Sequence, residues 1–358
     1  MGILLRNNPA CVSAVMQILA SRRCVVSLNP FQSPDKIARD IESVGISALI
    51  ALESDWQANS LMAEVIKARG CLGISMDAQA LTAQLHDEVP FVVPETLDMH
   101  GTAILMLTSG TTGPAKRIPL RFDKLEKSLL SAASYEDKQN TAGQLTLKTT
   151  PAMLTTPLVH IGGMYFALAA VVSGRPLLIV EKFSVDECVE GIAENKIATV
   201  ALPPTALRML LDANVDKEKL RSLRAIRAGS APLPIELQEK FEQTYGIPVL
   251  DSYGATEFAG AVAGWSLKDH KQFSQTKRGS VGRAQPGNEL RVVDPATGAE
   301  LPNGKIGLLE VRSAQIDSEN WVRTNDLAEL DDDGFLYIRG RADSAIIRGG
   351  FKVLPVEV

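Results

Sequence analysis

The chain switches repeatedly between two kinds of apolar pattern. Short unbroken runs, Cys24-Val25-Val26-Ser27-Leu28, Ser47-Ala48-Leu49-Ile50-Ala51-Leu52 and Cys71-Leu72-Gly73-Ile74, have the length of strands buried on both faces. Segments of helical spacing separate them. Pro9 can start a helix with Val12, Val15, Met16 and Leu19 on one face. Ser33-Pro34-Asp35 opens the next with a cap, a preset φ and an acid matched to the helix dipole. Strands separated by helical patterns predict a mainly parallel sheet covered on both faces. Thr102-Ala103-Ile104-Leu105-Met106-Leu107 adds a further buried strand.

After residue 150 the alternation resumes, with strands expected at Arg175–Val180, Ala198–Leu202 and Ala225–Ala228. From residue 265 onward the texture changes. Short apolar runs, Leu290-Arg291-Val292-Val293 and Leu308-Leu309-Glu310-Val311, lie between Gly287-Asn288, Asn303-Gly304 and Asp333-Gly334 pairs, which predicts a small antiparallel barrel or sandwich. The fold class expected is α/β: two α/β lobes with mainly parallel sheets covered by helices, plus a small β-rich, barrel-like subdomain.

Composition narrows the function classes. The 358 residues are 45% hydrophobic, enough for two or more packed units. A formal net charge of −5 and a pI near 5.6 argue against a nucleic-acid surface. Cys11, Cys24, Cys71 and Cys188 are widely spaced with no C-x-x-C pair, as expected of buried thiols in a reducing compartment. No stretch approaches the roughly 20 apolar residues of a membrane span. The amino terminus lacks the basic-then-apolar order of a secretory signal, so a cytoplasmic location is expected.

The most informative chemistry follows the Thr102–Leu107 strand. Thr108-Ser109-Gly110-Thr111-Thr112-Gly113-Pro114-Ala115-Lys116 offers hydroxyls, an ammonium and two glycines that let backbone amides approach an anion. It reads as a phosphate-binding loop but lacks the G-x-x-x-x-G-K-[ST] spacing, because only two residues separate Gly110 from Gly113.

This loop resembles the signature of the acyl-adenylate-forming (AMP-binding) superfamily. Further motifs follow in the family's order: Pro157-Leu158-Val159-His160-Ile161-Gly162-Gly163, Ala228-Gly229-Ser230-Ala231-Pro232-Leu233 and Ser252-Tyr253-Gly254-Ala255-Thr256-Glu257. Thr324-Asn325-Asp326, Asp333-Gly334, Gly340-Arg341 and Gly349-Gly350-Phe351-Lys352-Val353-Leu354-Pro355 complete the set. The chain is identified on these motifs as a member of the acyl-CoA synthetase type.

The resemblance implies a division of labour. Residues 1–140 form a first lobe carrying the phosphate loop, 141–262 a second lobe with acid and adenine sites, 263–340 the β-rich subdomain, and 341–358 a hinge at Asp343 with a stub of the C-terminal lid. The loop, Thr108 to Gly113, would hold the β- and γ-phosphates with Lys116 as counter-charge. Glu257 matches the Mg2+ ligand, and Thr256 a phosphate-contacting hydroxyl. Tyr253 would stack on adenine, beside Gly229, Ser230 and Ala231, with Ser252, Gly254 and Ala255 in the same nucleotide site. Asp326 would bond the ribose hydroxyls and Arg341 support the sugar. His160 would orient the acid or gate its pocket, together with Gly162 and Gly163. Gly349 and Gly350 resemble the lid loop of the thioester step, which implies CoA as co-substrate.

The expected reaction is therefore ATP-dependent activation of a carboxylic acid followed by transfer to CoA. The alternative is a non-catalytic nucleotide- or acyl-adenylate-binding module. Gly163–Ala169 contains no acid to hold an amino group, so an uncharged acyl or aryl tail is expected. The resemblance also implies a lid lysine beyond this sequence, so the chain alone is expected to bind nucleotide but to adenylate poorly. Homodimers are common among the proteins it resembles. Three positions depart from the family's pattern. Arg117 stands where Gly is usual, and either adds charge near the phosphates or faces solvent; Phe122 stands where His is usual, and Asn325 replaces a common Gly.

Overall fold

The computed structural model describes residues 1–86, 101–107, 116–136, 147–313, 315, 317–342, 346–348 and 351–353. The chain forms two compact units, Met1–Phe183 and Ser184–Val358.

In the first unit seven strands make one sheet: β1 Gly2–Leu4, β2 Val25–Leu28, β3 Ala48–Leu52, β4 Leu72–Met76, β5 Ala83–Leu85, β6 Thr102–Leu107 and β7 Arg117–Arg121. Their order is β5-β4-β3-β1-β2-β6-β7. The five inner strands run parallel, and β5 and β7 close the edges antiparallel. Every residue of β1, β2 and β3 is buried, as expected of strands covered on both faces. Pro119 explains the edge position of β7, since proline cannot donate to a neighbouring strand. A short parallel pair, β8 Ala152–Leu154 and β9 Leu177–Ile179, lies in the same unit.

The strand order places a switch point between β2 and β6. The chain leaves the carboxyl end of β2 toward β3, on one side, and leaves β6 toward β7, on the other. In open α/β sheets, ligands bind in the crevice outside such diverging carboxyl ends.

The helices match the predicted positions but differ in detail. The first runs Pro9–Ala20 and buries Cys11, Val12, Val15 and Ile18, while Met16 and Leu19 are only half-buried. Its cap is Asn8, whose side chain accepts the Cys11 N–H at 2.8 Å. Ser33 stands at the cap of the helix Pro34–Ser43 with no side-chain bond, its carbonyl instead accepting the Lys36 and Ile37 N–H groups.

The second unit begins with a parallel sheet, β10 Thr199–Ala201, β11 Ala225–Arg227 and β12 Val249–Leu250, interleaved with helices Pro204–Asp212 and Ile235–Tyr245. Antiparallel pairing then takes over at β13 Ser252–Ala255, earlier than the change of texture at residue 265. It continues through β14 Gly260–Gly264 and β15 Arg283–Ala284. The four-stranded sheet β16 Asn288–Val293, β17 Gly307–Ser313, β18 Asp317–Leu330 and β19 Leu336–Arg341 forms a half-barrel. Phe258, Val262, Val292, Leu309, Val311, Ala328 and Leu336 fill its core. A last hairpin pairs β20 Ile346–Arg348 with β21 Phe351–Val353.

All four cysteines are free thiols; Cys11, Cys71 and Cys188 are buried and Cys24 is half-buried. Among the described residues no helix is long and apolar enough to cross a membrane.

Candidate active site

In the first unit, Lys116 is exposed and directly precedes β7, which pairs with β6 in the register Leu107↔Arg117 and Met106↔Ile118. The strands thus hold together the two ends of the segment that the sequence marks as phosphate-binding. Thr108, Ser109, Gly110, Thr111, Thr112 and Gly113 lie outside the described residues, as do Asp343, Gly349 and Gly350.

Arg117 takes neither of its two expected roles. Its Nη2 lies 2.6 Å from Asp40 Oδ1 and its Nη1 donates to the Ser27 carbonyl at 3.0 Å. Both partners of the ion pair are shielded, at 12% and 14% side-chain exposure. The charge is spent inside the protein.

His160 sits at the N-cap of the helix Ile161–Val172 with extended backbone. Its side chain reaches solvent, while protein crowding the rest of the ring withholds water and lowers its pKa. The imidazole is therefore biased toward the neutral form near neutral pH. Gly163 lies one turn into this helix, and a Cβ there would stand 2.3 Å from the Pro157 carbonyl oxygen. Its missing side chain admits the chain's own backbone, which seats the helix against the Thr156-Pro157 turn.

That turn is fixed by a residue outside the sequence prediction. Asn7, only 4% exposed, donates from Nδ2 to the Thr156 and Val180 carbonyls, each at 3.1 Å. Its Oδ1 accepts the Leu158 N–H at 2.8 Å. One side chain thus joins the end of β1 to the segment leading into His160. The sequence signal was the polar Arg6-Asn7-Asn8 run directly after a buried strand.

In the second unit the structure brings together Tyr253 and Asp326, 73 positions apart. The Tyr253 hydroxyl donates to Asp326 Oδ2 at 2.5 Å. Burial, followed by the nearby Asp326 carboxylate, pushes the phenol pKa well up, so Tyr253 remains a donor. Asp326 is steadied from its own strand: its N–H bonds to Thr324 Oγ1, and Thr324 Oγ1 donates to the Leu309 carbonyl, both at 3.0 Å. Arg341 is its cross-strand neighbour in the β18–β19 register.

The segment Ala228–Ala231 meets β13 through Ser252, whose Oγ donates to the Ala228 carbonyl at 2.8 Å. Gly229 lies against the same hydroxyl, which would be 3.0 Å from a Cβ. Ser230, exposed, holds a left-handed φ of +68°, a conformation that costs a non-glycine residue energy and concentrates at functional sites.

Gly254 makes a close approach within the protein itself. A Cβ on it would stand 2.3 Å from the Gly260 carbonyl oxygen, at a shift in the β13–β14 register. The close approach it permits is between two strands of the protein. Thr256-Glu257-Phe258 then makes a single tight turn, with Ala255 before it and Phe258 buried below. Gln315 Nε2 bonds the Phe258 carbonyl at 3.0 Å. Glu257 is exposed and makes no hydrogen bond or ion pair among the described residues, although its charge is felt at the Tyr253 hydroxyl.

A family model described as "AMP-binding enzyme" matches residues 1–318. The chain is 28% identical over 381 residues to "Probable CoA ligase CCL5" of Humulus lupulus, covering 98% of this chain and 66% of that protein. It is 27% identical over 361 residues to a 4-coumarate–CoA ligase of Pinus taeda, covering 93% of this chain and 65% of that protein. Among solved structures, O-succinylbenzoate Coenzyme A Synthetase (MenE) from Bacillus subtilis, in complex with ATP and magnesium ion, matches with a TM-score of 0.79. It is 26% identical and the match covers 100% of this chain and 72% of that one. The chain spans just under two thirds of the length of the two curated relatives.

Proposed function

The chain belongs to the AMP-binding enzyme family, and from that premise we propose that it activates a carboxylic acid with ATP for transfer to CoA. Relatives named as CoA ligases support the overall class. In the proposed reaction a carboxylate oxygen attacks the α-phosphorus of ATP and the bond to pyrophosphate breaks. The resulting acyl-adenylate is then attacked at its carbonyl carbon by the CoA thiol, and AMP departs.

The observation that carries this reading is the Tyr253–Asp326 bond. It presents an aromatic face and a carboxylate side by side, and its direction leaves Asp326 an acceptor for sugar hydroxyls. Adenine stacking on Tyr253 and ribose binding to Asp326 are the roles these groups suit. Lys116, exposed directly before β7, would be a counter-charge for the phosphates. His160, neutral near pH 7, would accept or orient at the acid end without adding a competing positive charge.

Magnesium fits the residues present. Glu257, next to Thr256 in the chain, supplies one exposed carboxylate that has no ion pair among the described residues, and among those residues no group of three ligating side chains competes for the ion. One carboxylate with phosphate oxygens and waters is an ordinary magnesium shell. When bound, the ion would offset the charge of the triphosphate. The protein's own part is to hold Glu257 on a turn pinned by Phe258.

For the acid, the helix Ile161–Val172 presents Tyr165 and Phe166 half-buried, with Met164, Ala167 and Leu168 buried, and no charged group. With no acid on this helix to hold an amino group, we take an uncharged acyl or aryl tail as the substrate class. Calorimetric titration with non-hydrolysable acyl-adenylate analogues, with AMP as reference, tests the proposal. One analogue binding far more tightly than AMP is expected. If all bind no better than AMP, acid activation is refuted, and failure to bind AMP refutes the nucleotide site.

A further inference from the structure

Arg117 and Asp40 form an ion pair that the proposed chemistry does not use. Its placement is specific. The β2–β6 ladder pairs Val25 with Ile104 and Val26 with Leu105, and goes no further. Beyond that point the two strands part at the switch crevice, and β2 continues through Ser27. Arg117, at the first position of β7, bridges the opening: one nitrogen bonds the Ser27 carbonyl and the other Asp40 on the helix Pro34–Ser43. The strand adjacent to Lys116 is therefore tied to both β2 and a helix. Neither tie comes from the β6–β7 ladder itself.

We propose that Arg117 is a positioning residue, which with Asp40 and the Ser27 carbonyl fixes the base of β7 so that Lys116 meets the terminal phosphates of ATP. The assignment rests on the reading of Lys116 as their counter-charge. The alternatives for Arg117 fail on geometry. A guanidinium at 12% exposure with two nitrogens committed is no solvated surface group, and its charge is matched by a carboxylate 2.6 Å away. A fork-shaped donor suits two acceptors on different elements, which lysine's point charge does not. Asp40 in turn depends on Arg117, since its Oδ2 is buried with no hydrogen-bond partner and Arg117 is its ion-pair partner among the described residues. Glycine, usual at this place in the family the sequence resembles, could make none of these bonds.

The test compares magnesium-ATP and AMP titrations of the chain with those of Arg117→Lys, Asp40→Asn and Asp40→Glu. AMP lacks the phosphates that Lys116 would meet, so its affinity reports folding and the nucleoside site alone. The expected result is that Arg117→Lys and Asp40→Asn weaken ATP binding by roughly tenfold while AMP affinity stays within about twofold, since small misplacements of a charged group are costly. Asp40→Glu, which keeps the charge, should recover part of the loss. Equal ATP affinity in all forms would overturn the inference, and so would parallel loss of ATP and AMP binding, the sign of a purely structural role. If the unsubstituted chain binds ATP no better than AMP, the failure lies in the phosphate reading of Lys116 itself.

Discussion

Asp251 offers a prediction whose sign and size follow from one side chain. It ends the parallel part of the second unit, directly before β13, and is only 7% exposed. Its Oδ1 accepts the Ser252 N–H at 2.9 Å, and among the described residues no cation offsets the water it has lost. Burial consequently raises its pKa from 3.8 to about 7. In the folded chain the carboxyl keeps its proton up to about pH 7, whereas the unfolded chain releases it near 3.8. Folding takes up a proton within that window, so stability falls as pH rises through it and levels off above. The interval is about three pH units, each worth about 1.36 kcal/mol, which sets a ceiling of roughly 4 kcal/mol on the penalty above pH 7. Asp251→Asn keeps the acceptor for Ser252 and cannot ionise. Urea unfolding of both forms at intervals from about pH 3.5 to about pH 8 should give stabilities that converge at the acid end and separate as pH rises, the variant being the more stable. Parallel curves for the two proteins would refute the reasoning.

Three further outcomes follow from the geometry. Gly254→Ala forces a methyl to within 2.3 Å of the Gly260 oxygen and should cost about 1–3 kcal/mol as β13 and β14 separate; an unchanged thermal midpoint would contradict this. Asn7→Ala strands two carbonyls and one N–H in the interior, for a loss on the order of 3 kcal/mol by denaturant unfolding, and a change under about 0.5 kcal/mol would show that the turn before His160 holds without it. Glu257→Gln removes a carboxylate that makes no ion pair among the described residues, so stability should be unchanged while ATP binding loses its dependence on magnesium. Magnesium dependence equal to the original would displace Glu257 from that role.

Much of the fold was legible because strand and helix periods are local. Thr102–Leu107 is a strand over the very residues of its apolar run, and the runs at residues 24–28, 47–52 and 71–74 all became strands of one sheet. The motif residues Tyr253 and Asp326 were also readable as a pair of roles, and the fold brings them into contact. Other assignments could not be read this way. Gly163 and Gly254 carry the marks of ligand-site glycines, yet the atoms nearest their missing side chains are backbone carbonyls of the same chain. Arg117 left two alternatives open in sequence, and a carboxylate 77 positions earlier decided for a third.

The amino-acid order by itself determined the succession of elements, the buried character of the inner strands and the types of chemical group available for nucleotide and acid. Each of those depends on residues within a few positions of one another, where backbone geometry converts sequence directly into pattern. Tertiary structure alone decided which charges are paired internally, which carboxyl loses its water and which glycines pack directly against backbone. Those outcomes depend on desolvation and on partners distant in sequence, and a side chain acquires them only when the packed elements close around it.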